Sequence, residues 1–182
     1  QETSAHAGPN EVSLRGVAKS AEAELLRVFH ANPFAVCRCL EEAVSAFVAA
    51  GAIWQELTTR AALAQAQVDL GMAAEAEATM EMVAARAQTR AVYMGAYVKI
   101  HTAAVLVRSC EPARMDRGAA LAKEVLETAG VTAGYRAWAS AMLAEVTFAR
   151  GDLAGSERHA RAALDPGHFA AVRRSLATAA LA

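Results

Sequence analysis

Aromatic residues make up only 5% of this 182-residue chain, and proline occurs just 4 times. Both scarcities, with β-branched residues also thin, count against a sheet protein, because strands favour aromatic and β-branched side chains. No long apolar run is present: residues 102–107 (TAAVLV) are typical, far short of the roughly 20 residues that cross a bilayer. A soluble chain is expected. Charge of one sign is missing too. The 18 basic and 19 acidic residues nearly cancel, with net charge −4 over residues 1–91 and +3 over 92–182. Nucleic-acid binders of this size gather Lys and Arg on one face, whereas the densest basic pair here is Arg173-Arg174, so no nucleic-acid partner is expected.

Cysteine is limited to Cys37, Cys39 and Cys110. On a helix the first two would point about 200° apart, which is wrong for a mutual disulfide, and an odd, sparse set fits a reducing cytoplasm. Glycine occurs singly at turns, with neither G-x-x-x-x-G-K-[ST] nor G-x-G-x-x-G, so no phosphate loop is present. His6, His30, His101, His159 and His168 show no metal-ligand spacing. A nucleophilic Cys37 would need a base that the sequence does not supply, and Glu41-Glu42 are helix neighbours that face different directions. No metal, no cofactor and no catalytic residue is expected.

What the chain does have is alanine, roughly a quarter of all residues, within a hydrophobic fraction of 55%. Alanine has the best intrinsic helix propensity. Breakers fall at Asn32-Pro33, Gly51, Gly71, Cys110-Glu111-Pro112, residues 130–134, Gly151-Asp152 and Asp165-Pro166-Gly167. They cut the chain into about eight helices joined by short connections, which set successive helices antiparallel. Residues 1–10 read as a linker or frayed lead-in, and 11–182 as the helical domain. Gln1 opens the chain without a Met or a secretory pattern, and the expectation is a fragment of a longer protein. Arg outnumbers Lys 15 to 3, which with the alanine excess points to a GC-rich, bacterial source.

The helices repeat. Leu63-Ala64, Gly71, Ala76 and Met80 are matched by Leu143-Ala144, Gly151, Ser156 and Ala160, followed by Ala163 and Pro166. Glu41-Glu42-Ala43 with Phe47 and Ala50 supplies another second helix, and Leu176-Ala177 another first one. A small residue after Leu, a Gly turn, a small-then-bulky second helix and an exit Pro resemble the tetratricopeptide repeat (TPR) family. The wording GDLAGSERHARAAL after an Ala-rich helix is similar to the C-terminal TPR regions of bacterial Ser/Thr kinases and of large ATP-dependent transcription activators. Departures exist: Arg60 and Gln67 stand where the family carries aromatics, and Glu111 to Asp116 form an insertion. The small first-helix residues Ala64, Ala103, Ala144 and Ala177 are spaced by 39, 41 and 33, against a family period of about 34.

The fold expected is therefore all-α, a TPR-like α-α superhelix (solenoid) of about four antiparallel hairpins. The resemblance implies a non-catalytic protein-protein interaction or regulatory module of a larger bacterial signalling protein, cytoplasmic, with a concave wall lined by first helices. Helical spacing places Thr58, Gln65 and Asp69, then Tyr97, His101 and Arg108, then Trp138, Met142 and Glu145 on that wall. A peptide, a partner domain or the parent protein's own catalytic domain would dock there. Trp138 sealing the junction with the preceding hairpin, and a half-buried face at Tyr97, His101 and Arg108, are the plainer accounts of those stripes. The other functional reading is a small-molecule-sensing helical-repeat domain of a transcription regulator. Phe169, Val172, Leu176 and Leu181 give residues 168–182 an uncapped apolar face, which predicts a further repeat there or a homodimer through this closing helix.

Overall fold

The computed structural model describes residues 8–29, 32–88 and 92–164. These form eight α-helices and no strand among the described residues: α1 Pro9–Val28, α2 Pro33–Ala50, α3 Ile53–Asp69, α4 Ala73–Ala87, α5 Val92–Arg108, α6 Pro112–Glu127, α7 Ala133–Ala149 and α8 Leu153–Ala163. Helix α1 starts at Pro9, inside the stretch read as a lead-in, because proline's fixed φ suits a first helical position. One boundary carries no Gly or Pro: α4 ends at Ala87 and α5 begins at Val92, so the uninterrupted segment between the Gly71 and Cys110 breakers holds two helices. The closing segment 168–182, with Pro166 and Leu176-Ala177, lies outside the described residues.

The turns explain why the helices stop where they do. At the α3–α4 turn, Gly71 sits at φ 77° and donates its N–H to the Val68 carbonyl, while the Met72 N–H reaches the Gln67 carbonyl, both at 2.9 Å. At the α7–α8 turn, Gly151 sits at φ 79°, its N–H on the Phe148 carbonyl and that of Asp152 on the Thr147 carbonyl. This is the Schellman closure, which satisfies orphan helix-end carbonyls and requires a left-handed residue that only Gly adopts cheaply. The two turns are the pair matched in sequence. At the α5–α6 turn the left-handed position is filled by Cys110 at φ 56°; the stretch Glu111 to Asp116, expected as an insertion, is instead the N-cap and opening turn of α6, which begins at Pro112.

The chain divides into two compact units, Gln1–Arg86 and Ala87–Ala182. In the first, α1 packs on α2 and α2 on α3, around Ala23, Val36, Cys37, Cys39, Leu40, Leu63 and Ala66. Desolvation raises the Cys37 and Cys39 thiols above their ordinary range, so both stay protonated core side chains. Thr79 Oγ1 donates to Gln67 Oε1 at 3.0 Å and ties α4 to α3. In the second unit α5, α6 and α7 share a core of Ile100, Ala103, Ala104, Val107, Ala119, Ala122, Val125, Ala139, Met142, Leu143 and Val146, and α8 packs on α7. Small residues set the spacing there. A Cβ on Gly118 would lie 2.8 Å from Val107 Cγ2 and 3.0 Å from the Ala103 carbonyl oxygen. Helices α5 and α6 approach as closely as they do because position 118 has no side chain.

Candidate functional site

The second unit brings two of the predicted stripes together. Tyr97 and His101 are one turn apart on α5, with ring centroids 4.2 Å apart and planes at 39°. The His101 ring meets the Trp138 indole of α7 edge to face at 4.9 Å and 87°. Tyr135, also on α7, contacts Tyr97 edgewise at 6.4 Å. The four rings thus form one face spanning α5 and α7, with Tyr135 and Trp138 packed against the unit's core. Edge-to-face contacts of this kind contribute about 0.5–1.5 kcal/mol each beyond area burial.

Local structure fixes that arrangement. The Thr132 side chain caps α7 by accepting the Tyr135 N–H, and Arg136 Nη1 donates to the Leu126 carbonyl at the end of α6 at 2.7 Å. These bonds pin the first turn of α7, from which Tyr135 projects, with Trp138 in the turn after it. Buried alanines then bring α5 and α7 into contact: Ala103 and Ala139 are both fully buried. Tyr97 is itself 8% exposed, while His101, Tyr135 and Trp138 are half-buried and reach the surface.

Burial also decides the protonation of the imidazole. Desolvation lowers the His101 pKa from 6.5 to about 4, so the ring is neutral at physiological pH. A base that weak is not matched to proton transfer near neutrality. What the face offers is aromatic contact area with phenol, indole and imidazole groups at its edge.

The remaining predicted residues fall elsewhere. Met142, one turn beyond Trp138, is 3% exposed and belongs to the core with Ile100 and Val146. By rotation about α7 it falls between Tyr135 and Trp138, and it is buried because it lies a turn further along the helix, level with the core. Glu145 and Arg108 are exposed, at the later ends of α7 and α5. Thr58, Gln65 and Asp69 lie on α3 in the first unit. Thr58 is half-buried and its hydroxyl donates to the carbonyls of Trp54 and Gln55 in its own helix; Gln65 is half-buried and Asp69 exposed.

Two features escaped the sequence reading. Tyr135 joins the ring face, and its spacing of three from Trp138 on an amphipathic helix was the available signal. The second is Glu56, a carboxylate only 1% exposed, held by Arg60 Nε at 3.0 Å and by Arg86 Nη2 at 3.1 Å. Its spacing of four from Arg60 marks an intrahelical pair, but nothing local announces Arg86 on α4. Both carboxylate oxygens are engaged, so Glu56 locks α3 to α4. No cluster of three or more His, Cys, Asp or Glu side chains able to hold a metal occurs among the described residues, and none of the described helices is long and apolar enough to cross a membrane. Compared with known proteins, the chain matches no family model, no curated protein and no solved structure.

Proposed function

We propose that this chain is a TPR-like repeat module that binds a protein or peptide partner and has no catalytic role of its own, acting as the regulatory part of a larger bacterial signalling protein in the cytoplasm. The observation that carries the reading is the ring face shared by α5 and α7. These are the first helices of consecutive hairpins, and in TPR proteins first helices line the partner-binding wall. Support comes also from the matched sequence around the Schellman turns at Gly71 and Gly151, a closure that Gly51 makes as well between α2 and α3. A rigid aromatic patch anchored on a packed core suits an interaction hot spot, because its side chains lose little entropy on binding. The partner is a peptide, a separate domain or the parent's catalytic domain. Binding it would hold that catalytic domain in one state or place.

The test is selection of a random-peptide display library on the immobilised protein, repeated with Trp138→Ala and Tyr135→Ala. Enriched peptides are expected to lose at least tenfold in affinity on either variant. Failure to enrich, or binding indifferent to both variants, would count against the reading. Thermal stabilisation by a metabolite library, abolished by the same substitutions, would instead favour the small-molecule sensor, since the half-buried rings could equally line a ligand.

A further inference from the structure

Helix α1 is apolar on two faces. One packs on α2: Ala23 is buried, and a Cβ on Gly16 would fall 2.7 Å from the Phe47 ring. The other carries Leu14, Val17, Leu25 and Val28, each between 52% and 68% exposed, with exposed Ala21 among them. At about 100° per residue these five positions fall within an arc of about 80°, roughly opposite Gly16 and Ala23. An ordered stripe of large aliphatic side chains in water is unusual on a helix already anchored by its other side.

The stripe is symmetric about its own middle. Counted from Ala21, the apolar positions stand at −7 (Leu14), −4 (Val17), +4 (Leu25) and +7 (Val28). A two-fold axis at Ala21 therefore sets Leu14 on Val28 of a second copy, Val17 on Leu25, and Ala21 on its own equivalent. An isologous contact demands that self-complementarity. The small central residue lets two helices approach to about 8 Å. Charge does not oppose the pairing: Glu11, Glu22 and Glu24 balance Arg15, Lys19 and Arg27 on α1, and Arg15, which the axis sets level with Arg27 of the second copy, lies with it about 120° from the centre of the stripe, outside the seam. The antiparallel direction also sets each positive helix end, with Glu11, beside the other's negative end, with Arg27.

We infer that the outer stripe of α1 is a homodimer interface, in which α1 pairs antiparallel with α1 of a second copy across a two-fold axis at Ala21. The seam runs about 21 Å from residue 14 to 28 and buries less than the roughly 800 Å² per partner of a standard stable complex. The dimer is consequently weak and reversible.

Sedimentation equilibrium from micromolar to millimolar protein is expected to show the mass doubling with concentration. Leu25→Glu enters the seam twice and is expected to weaken association more than tenfold with helicity unchanged by circular dichroism, position 25 being exposed. In a Cys110→Ser background, Ala21→Cys is expected to cross-link to itself on oxidation. Leu14→Cys alone is not, but mixed with Val28→Cys it is. A constant monomer mass overturns the inference, as does a dimer untouched by Leu25→Glu, or one in which Leu14→Cys cross-links to itself while Ala21→Cys does not.

Discussion

The imidazole of His101 and the indole of Trp138 meet edge to face, with centroids 4.9 Å apart, although 37 residues separate them in the chain. Their contact draws a histidine out of water and makes its neutral form part of the folded state.

Stability is accordingly expected to depend on pH through this one ring. The folded pKa of about 4 lies below the ordinary 6.5, so the unfolded chain takes up the proton first as pH falls. Stability from the neutral ring is complete above pH 6.5 and is lost progressively down to about pH 4. Between pH 7.5 and 5.5 the loss should be about 1–1.5 kcal/mol. Urea denaturation across that range should show the slope, and His101→Phe should flatten that component. An unchanged slope would show that His101 is not the group responsible.

Trp138 and Met142 should separate binding from stability although they are one turn apart. Met142→Ala empties a core position and is expected to cost about 2–5 kcal/mol, with partner affinity retained below the new melting point. Trp138→Ala, at a half-buried site, is expected to cost less, about 1–2 kcal/mol, and to abolish partner binding. Chemical denaturation paired with calorimetric titration of an enriched peptide measures both.

Either arginine alone can neutralise Glu56, so Arg60→Ala and Arg86→Ala should each cost about 1 kcal/mol. Together they leave a buried carboxylate unpaired and should cost 3 kcal/mol or more, roughly. Adding Glu56→Gln to the double variant should recover part of that loss, since a neutral amide is cheaper to bury. Simple additivity in a double-mutant cycle would falsify the shared-carboxylate account.

Two helical glycines should respond with opposite sign to the same substitution. Gly118→Ala forces a Cβ against Val107 and the Ala103 carbonyl, which should cost about 1–3 kcal/mol. Gly95 on α5 has nothing within 4 Å of its Cβ direction, and Gly95→Ala should stabilise by about 0.5–1 kcal/mol through helix propensity. Thermal melting of the two variants side by side decides it.

Arg60 and Gln67 show where reading the chain against a repeat pattern loses sight of structure. As departures from aromatic positions they carry no meaning in sequence, yet Arg60 neutralises a buried carboxylate and Gln67 receives the Thr79 hydroxyl from α4. Their partners lie on another helix or depend on a burial that only packing creates. The boundary between α4 and α5 was missed for a related reason: no Gly or Pro marks it, so propensity and breaker residues do not reveal it.

By itself the sequence determined the local structure: helices from alanine-rich periodicity, and turns from Gly51, Gly71 and Gly151. Those follow from interactions within a few residues, namely backbone propensity and the left-handed closure that glycine permits. Only the tertiary structure decided that Tyr97 and His101 share a face with Tyr135 and Trp138, that Met142 is buried, and that Glu56 finds a second arginine. Each of these depends on how one helix is set against its neighbour, in rotation about its axis and in position along it. Packing of small residues such as Ala103, Gly118 and Ala139 fixes that setting across tens of residues of chain, and helical periodicity read along the sequence leaves it undetermined.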